Sequence, residues 1–397
     1  MQAAMTERDR IISVLKRRKP DRIPWATRLE IWHSSHTRSR TLPAECRDLD
    51  LLEIHDTLKL GRQAYCYVAL AKLVGVEVSV EFNGKKIFHE KSPVLQYPRV
   101  TSLVPLSEPG KTIVSFHTPA GTARIGYKTT PELLAAAATP YMEEHIFKEE
   151  QDYTVLSWIA EHCEVVDNYG AFTSLEEEIG EQGFVIGMIG RVPFQEILLD
   201  YMGEERCFFE LHDNPRSFHR FLARLTEAHG ELLETALASP AFMLEFGDNF
   251  DGEMTNPNLF AEYCIPHMQG ASDRIHAAGK VLGSHMDGDM GNLLALVPET
   301  GIDVAESFSP RPLSSVSFLD AWNAWKGRLL IWGGVSSPLF EPGTSDAQFE
   351  SVLLDILKTI VPGGLSILGI ADQAVGPSLF DRIKRAGELI ELHGYYP

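Results

Sequence analysis

A histidine and a carboxylate stand two residues apart at the point where an apolar run ends. The run Lys280-Val281-Leu282 continues into Gly283-Ser284-His285-Met286-Asp287, and a glycine then interrupts the pattern. Side chains at positions i and i+2 of a strand point to the same face of the sheet. His285 and Asp287 are therefore predicted to converge on one point, which is either a metal ion or a reacting group.

Polar residues also follow other apolar runs in the second half of the chain. They are Glu245, Asp248, Asn249, Glu306 and Asp372. One aspartate after a strand is commonly a helix cap or a turn former, but the recurrence after successive runs favours a shared site. Imidazole and carboxylate together suit zinc or another first-row divalent metal. The metal-free alternative has His285 as a general acid or base, with Asp287 or Glu306 setting its tautomer.

From about residue 183 onward, short apolar runs alternate with amphipathic helical stretches. The runs lie at 183–190, 241–248, 280–287, 302–306, 329–334 and 365–370, and the helices at 215–238, 257–278, 290–299, 316–325 and 346–361. This alternation is typical of a parallel sheet with helices outside it. With a further strand near Ile23, it predicts an α/β fold, a (β/α)8 TIM barrel, whose active site lies at the carboxyl ends of the strands. The eighth strand is expected around 155–167 or within 31–180. A doubly wound open sheet is the alternative, although no GxGxxG motif follows a strand.

The N-terminal part has a different pattern. Thr6 is expected to cap a helix at 6–18, and residues 74–82 alternate apolar and polar side chains before the hairpin signal Asn83-Gly84. A second hairpin is predicted around the turn Thr118-Pro119-Ala120-Gly121. We therefore expect residues 1–30 and 181–397 to form the barrel and residues 31–180 to form a β-rich α+β insertion or lid packed on it.

Composition limits the classes of partner. The chain has 397 residues and a formal net charge of -19, which argues against nucleic acid because phosphate contacts need clustered Lys and Arg. No apolar stretch approaches the roughly 20 residues that span a bilayer, and no secretion signal is evident. The five cysteines are scattered without a CxxC pair, so neither a disulfide framework nor a cysteine zinc cluster is indicated. A cytoplasmic location is the simplest expectation.

The order of several motifs resembles the uroporphyrinogen decarboxylase superfamily. They are Pro20-Asp21-Arg22-Ile23-Pro24, Phe246-Gly247-Asp248-Asn249, the stretch from Asn256-Pro257-Asn258-Leu259 to Pro266, and Ser284-His285-Met286-Asp287-Gly288. Two central segments are similar to the methyltransferases of bacterial O-demethylase systems. They are Thr118-Pro119-Ala120-Gly121-Thr122 and His145 through Tyr153.

The resemblance implies two functional classes. The decarboxylase binds a polycarboxylate through N-terminal arginines and needs no metal; its Arg-x-x-Gly-Arg segment has no counterpart in Arg28-Leu29-Glu30-Ile31-Trp32-His33. The other class moves methyl groups to or from the cobalt of a corrinoid protein with the help of zinc. Its zinc sites typically use a His-x-Cys pair and a later Cys, where this chain has His285-x-Asp287 and Asp372. The two aspartates would replace the sulfurs and keep a metal site with oxygen ligands.

We therefore expect a demethylase-type methyltransferase. It would move a methyl group from a small donor to a corrinoid carried by a separate partner protein. A methoxyaromatic is the donor expected first, and methylamines, methyl thiols and methyl halides are the alternatives. No Asp-x-His-x-x-Gly corrinoid-binding motif occurs in the chain. A metal-free lyase acting on a carboxylated substrate and a non-catalytic scaffold are the alternatives, and a homodimer is left open. The expected metal ligands are His285, Asp287, Glu245 and Asp372, the catalytic residues Asp248, Asn249 and Glu306, and the substrate-binding residues Trp25, Phe308 and Trp332.

Overall fold

The computed structural model describes residues 5–397, and its chain forms two compact units. The first comprises the residues up to Cys66, Gly170–Met188 and Ala241–Pro397, and the second comprises Tyr67–Tyr169 and Ile189–Pro240. The predicted boundaries at residues 30 and 181 stay a prediction. No helix of the described residues is long and apolar enough to cross a membrane.

The first unit contains a parallel sheet of eight strands within residues 5–397. In sheet order the strands are Ala26–Thr27, Gly61–Tyr67, Gly183–Met188, Met243–Phe246, Val281–His285, Val304–Phe308, Leu330–Ser336 and Ser366–Ala371. The last strand returns to the first, because Trp25 forms a parallel bridge with Leu368, whose N–H donates to the Pro24 carbonyl over 3.0 Å. The sheet is thus nearly closed, and the predicted (β/α)8 barrel is confirmed.

Helices accompany the barrel strands in the first unit. They are Glu7–Leu15, Glu30–Ser39, Leu51–Leu58, Tyr169–Ile179, Pro257–Leu259, Ile265–Ala277, Phe318–Trp325, Asp346–Ile360 and Phe380–His393, with a π-helical turn at Phe260–Cys264 and 3-10 turns at Ala44–Cys46, Gly180–Gln182, Val297–Thr300 and Ser337–Phe340. The predicted cap is confirmed: Thr6 Oγ1 accepts from the Asp9 N–H, and the Asp9 carboxylate accepts from the Thr6 N–H. The predicted helix at 290–299 is wrong, since turns and the 3-10 turn Val297–Thr300 occupy that stretch.

The eighth barrel strand, Gly61–Tyr67, lies inside the predicted insertion. The alternative location around 155–167 is wrong, because those residues form a helix followed by a strand of another sheet. Gly61–Tyr67 neighbours Gly183–Met188, and the two backbones approach closely there. A Cβ at Gly183 would lie 1.9 Å from the Arg62 carbonyl oxygen, so this packing requires glycine.

The second unit contains two antiparallel sheets and several helices. Its five-stranded sheet consists of Lys85–Lys91, Glu77–Phe82, Gly110–Thr118, Gly121–Thr129 and Tyr141–Glu144, and its three-stranded sheet of Cys163–Asp167, Ala69–Leu73 and Val94–Leu95. Both predicted hairpins are confirmed, around Asn83-Gly84 and around Pro119-Ala120. The helical segments are Pro131–Ala135, Asp152–Glu161, Pro193–Glu196, Glu204–Asp213 and Pro215–Ala238, with a π-helical stretch at Ile197–Met202 and a 3-10 turn at Thr101–Leu103.

Candidate active site

His285 and Glu306 form a buried pair at the carboxyl ends of two neighbouring barrel strands. The strands Val281–His285 and Val304–Phe308 run parallel with His285 opposite Glu306, and His285 Nδ1 lies 2.6 Å from Glu306 Oε2. Burial opposes the charge of the imidazole, but the nearby carboxylates of Glu306 and Asp372 outweigh it and raise the pKa of His285 well above its usual range. Burial also opposes the charge of Glu306, yet the facing imidazolium lowers its pKa to about 2. Without a metal, the two residues therefore form an ion pair at neutral pH.

The other ring nitrogen of His285 faces two aspartates. Nε2 lies 3.7 Å from Asp287 Oδ2 and 3.5 Å from Asp372 Oδ1. Burial favours the neutral form of Asp287, but hydrogen bonding and charge from His285 outweigh it and lower the pKa of Asp287. His285 is thus held by a carboxylate at Nδ1 and presents Nε2 to two further carboxylates. Carboxylates that hydrogen-bond the other nitrogen of a histidine are the usual support of metal-binding imidazoles.

Glu245 is a fully buried carboxyl group beside this pair. It lies on the strand Met243–Phe246 opposite Gly283, and a Cβ at Gly283 would come within 3.2 Å of Glu245 Oε2. Neither oxygen of Glu245 has a hydrogen-bond donor among the residues that the structure describes. Burial, and then the charge of Glu306, raise the pKa of Glu245 well above its ordinary value, so this carboxyl group is neutral at pH 7 in the metal-free protein.

Arg28 and two residues of the Gly61–Tyr67 strand complete the cluster. Arg28 forms an ion pair with Asp372, and its guanidinium carbon lies 4.4 Å from the centre of the Tyr65 ring. The Tyr65 hydroxyl lies 3.4 Å from His285 Nδ1, and Gln63 Nε2 donates to Glu306 Oε1 over 2.5 Å. None of these three was among the predicted site residues. The i, i+2 spacing of Gln63 and Tyr65 was the available signal, but their strand was not recognised.

Ser307 enters the cluster because the strand carrying it is irregular. Adjacent residues of a regular strand point to opposite faces, yet both Glu306 and Ser307 reach the cluster. The pairing with the next strand shifts register between Ala305 and Phe308, and Ser307 has φ of 52°. Its hydroxyl oxygen lies 2.7 Å from Glu306 Oε1 and 2.9 Å from Asp372 Oδ1, so its single hydrogen is donated to one or the other carboxylate. The bulge redirects a side chain into the site, as bulges near active sites do.

Two predicted catalytic residues support the cluster through hydrogen bonds. Asn249 Nδ2 donates to Asp287 Oδ1 over 2.8 Å, which orients that carboxylate. The fully buried Asp248 accepts from the Ser284 hydroxyl over 3.0 Å. Catalytic roles for Asp248, Asn249 and Glu306 stay predictions. Glu306 and Asn249 contact His285 and Asp287 and so position them, and Asp248 contacts Ser284, the residue before His285.

The three predicted aromatic residues are buried in packing contacts. The Trp25 ring stacks on Phe340 with 6.4 Å between ring centres, and Phe308 packs edge-on against Trp325 at 5.1 Å. The Trp332 indole donates to the Ala26 carbonyl over 3.3 Å. These contacts account for all three rings without a substrate, and a substrate-binding role for them stays a prediction.

The donor atoms of the cluster fit a divalent metal. Two overlapping sets, Glu245 with His285 and Glu306, and His285 with Asp287 and Asp372, each have their ligand atoms within 4.8 Å of one another. When Glu245 is neutral, the carboxylates of Asp287, Glu306 and Asp372 carry three negative charges. His285 and Arg28 carry two positive charges, so one negative charge is in excess. A divalent ion that displaced the His285 proton would balance this charge. The second set offers a ring nitrogen already oriented by Glu306, and neither oxygen of Glu245 accepts a hydrogen bond from residues 5–397.

Comparisons with known proteins agree with this fold. Residues 133–320 match the family model for uroporphyrinogen decarboxylase (URO-D). Among solved structures, a methyltransferase from Methanosarcina mazei is similar over 98% of this chain and 99% of its own, with a TM-score of 0.54 and 14% sequence identity. No curated protein matches the sequence. The family match supports the superfamily resemblance, and the structural match at this identity shows a shared fold.

Proposed function

We propose that this protein is a methyltransferase that moves a methyl group from a small methylated donor to the cobalt of a separate corrinoid protein. The observation that carries the proposal is the cluster around His285, in which Nε2 faces Asp287 and Asp372 while Glu306 holds Nδ1. The fold shared with a methyltransferase along nearly the whole chain supports the same reading. A methoxyaromatic donor, a cytoplasmic location and the corrinoid partner come from the sequence resemblance and belong to the proposal.

The residues of the cluster have distinct roles in this proposal. His285, Asp287 and Asp372 would hold zinc or another divalent metal, with Glu245 as a further ligand once it loses its proton. When bound, such a metal supplies a Lewis acid that stabilises the charge developing on the leaving oxygen. Glu306 keeps His285 oriented through Nδ1, and Asn249 does the same for Asp287. His285, Glu245 and Glu306 are buried, which strengthens the electrostatic interactions among them, whereas Asp287 and Asp372 are partly exposed.

Metal content and methyl transfer are measured together. Purified without an affinity tag of histidines, the wild type is expected to bind one divalent metal per chain. With a reduced corrinoid protein and methoxyaromatic donors, it should produce the absorption spectrum of methyl-cobalt. His285→Ala should lose the metal and lower the transfer rate by about 100-fold or more. His212→Ala is the matched control, because His212 is an exposed histidine of the second unit. Wild-type transfer without stoichiometric metal would refute the metal's role, and no transfer across a broad donor panel would refute methyl transfer.

One observation favours a second candidate function, a metal-free lyase acting on a carboxylated substrate. The guanidinium of Arg28 stands within the cluster beside Asp372, and arginine pairs strongly with carboxylates. The buried imidazolium of His285 would then be the proton donor. In this case activity survives a chelator, and Arg28→Gln weakens substrate binding by about tenfold or more. Loss of activity in chelator, restored by zinc, would reject the lyase.

A further inference from the structure

The second unit encloses a cavity of its own, which no predicted site residue lines. Its volume is about 310 Å³, a size that accepts a small organic molecule. Every residue that lines it belongs to Tyr67–Tyr169 or Ile189–Pro240. The walls come from the three-stranded sheet, the segment around Pro98, the second half of the π-helical stretch and the helix Pro215–Ala238.

Two arginines of the wall share one carboxylate. Arg191 Nε donates to Asp200 Oδ2 over 2.9 Å, and Arg99 Nε lies 3.7 Å from Asp200 Oδ1. Arg191 and Asp200 are buried, whereas the Arg99 side chain is 37% exposed. Arginine stays charged in proteins and offers its donors in a planar fork that matches a carboxylate. Two guanidinium groups therefore meet a single aspartate at this wall.

The other titratable groups on the inner wall are neutral. Burial, and then the charge of Asp200, raise the pKa of Glu196 well above its ordinary value. Burial lowers the pKa of His229 to about 4, and His229 Nε2 lies 3.1 Å from Glu196 Oε2. Burial raises the pKa of the Cys163 thiol to about 12. The positive charge of the arginine pair is therefore not cancelled by these neighbours.

The rest of the wall combines apolar side chains with tyrosine hydroxyls. Leu70, Leu95 and Leu225 contribute aliphatic surface, and Tyr97 and Tyr201 contribute rings. The rim carries three exposed carboxylates, those of Glu161, Glu227 and Glu231. Glu161 and Glu227 form ion pairs with Arg224. Exposed charges are screened by water and salt, so the buried Arg191 and the partly buried Arg99 contribute more than the rim to the charge that a bound molecule meets.

We propose that this cavity binds a small organic monoanion, a carboxylate on an apolar or aromatic body, with Arg99 and Arg191 facing the carboxylate. Two guanidinium groups meet a single aspartate here, so the ligand carboxylate adds a second anionic partner, and the leucine and tyrosine side chains contact the ligand body. This site is distinct from the His285 cluster in its residues, and its occupancy does not depend on the proposed methyl transfer.

The first test compares two probes of the same shape. Binding of 2-naphthoate and of neutral 2-naphthamide is measured by calorimetry on the full-length protein, with chelator present so that a carboxylate cannot bind a metal at the His285 cluster. We expect 2-naphthoate to bind with a Kd below about 1 mM and 2-naphthamide about tenfold more weakly or worse. Equal affinities, or no binding of 2-naphthoate, would overturn the proposal.

The second test assigns the binding to the arginine pair. Arg99→Gln should weaken 2-naphthoate binding by about tenfold, and Arg99→Lys should weaken it less, because the charge remains although the planar fork is lost. Arg124→Gln is the matched control, since Arg124 is an exposed arginine of the same unit that does not line the cavity. Circular dichroism and unfolding temperature establish that each variant is folded. An Arg99→Gln protein that binds as tightly as wild type would place the ligand elsewhere and refute the site.

Discussion

Replacing Glu245 by glutamine should stabilise the metal-free protein, and the gain should grow with pH. The folded state holds the pKa of Glu245 well above the ordinary value of 4.5, chiefly through burial. Between the two pKa values, the folded protein therefore carries a proton that the unfolded chain has lost. Stability must then fall as pH rises. The slope is about 1.4 kcal/mol per pH unit for one proton.

Glutamine removes this pH-dependent cost because it is neutral in both states. The uncharged amide stays buried in place of a neutral carboxyl group, so the cost of its unpaired atoms is similar at every pH. The difference in unfolding free energy, Glu245→Gln minus wild type, should therefore rise by about 1.4 kcal/mol per unit above pH 4.5. Contributions of His285 and Glu306 are common to both proteins and cancel in this difference.

Urea unfolding in chelator at pH 5, 6 and 7 measures the slope. Tryptophan fluorescence reports chiefly on the first unit, because five of the six tryptophans lie in it. Glu177→Gln is the matched control, since Glu177 is an exposed glutamate of the first unit, and only the Glu245→Gln difference should grow with pH. A pH-independent difference for Glu245→Gln would mean that Glu245 is ionised in the fold, which contradicts its assignment as a neutral carboxyl group.

Four further outcomes follow from the same geometry. In thermal unfolding, zinc at about 100 times its Kd should stabilise the wild type and His212→Ala by about 2.7 kcal/mol, but not His285→Ala; equal gains in all three would place zinc elsewhere. Zinc titrations should show weaker binding at pH 6 than at pH 8, because the pKa of His285 is raised and the metal must displace its proton; pH-independent affinity would contradict this. Arg28→Gln should bind zinc more tightly, because it releases Asp372 from the ion pair, and weaker binding would assign Arg28 a supporting role. Thr6→Ala should lower the unfolding free energy by about 1 kcal/mol through loss of the N-cap, and an unchanged urea midpoint would argue against that cap.

Local patterns predicted those elements that depend on neighbouring residues. The capping box at Thr6 and Asp9 is completed within three residues, and the Asn83-Gly84 turn pairs strands on either side of it. The apolar runs of the barrel strands are continuous because both of their faces are buried. Such signals are contained in short stretches of sequence, so they can be interpreted without the tertiary structure.

The failed helix at 290–299 illustrates where the local pattern misleads. Its leucines recur with helical spacing, but Asp289 accepts hydrogen bonds from the N–H groups of Gly291 and Ser315. Side chains that bond the backbone in this way compete with helix formation. Pro298 then lies in the first turn of a 3-10 helix at Val297–Thr300. The partner at Ser315 is distant along the chain, so the sequence window around 290 could not reveal it.

The Gly61–Tyr67 strand was missed for the opposite reason. Arg62, Gln63 and Tyr65 interrupt any apolar run, and so the segment lacks the pattern of a barrel strand. Its polar side chains belong there because they face the cluster: Gln63 contacts Glu306 and Tyr65 lies beside Arg28. A strand that contributes to a polar site can only be recognised once the site is assembled.

By itself, the sequence determined the barrel, most of its strands and the carboxyl-end position of His285, Asp287, Glu245 and Glu306. These depend on hydrophobic period and on the position of polar residues after each run. Only the tertiary structure decided that Arg28 joins Asp372, that Ser307 turns inward, and that Glu245 has no donor among the described residues. Those facts depend on register, on a bulge and on burial. Each arises from residues distant in sequence, and together they set the charge and protonation of the site.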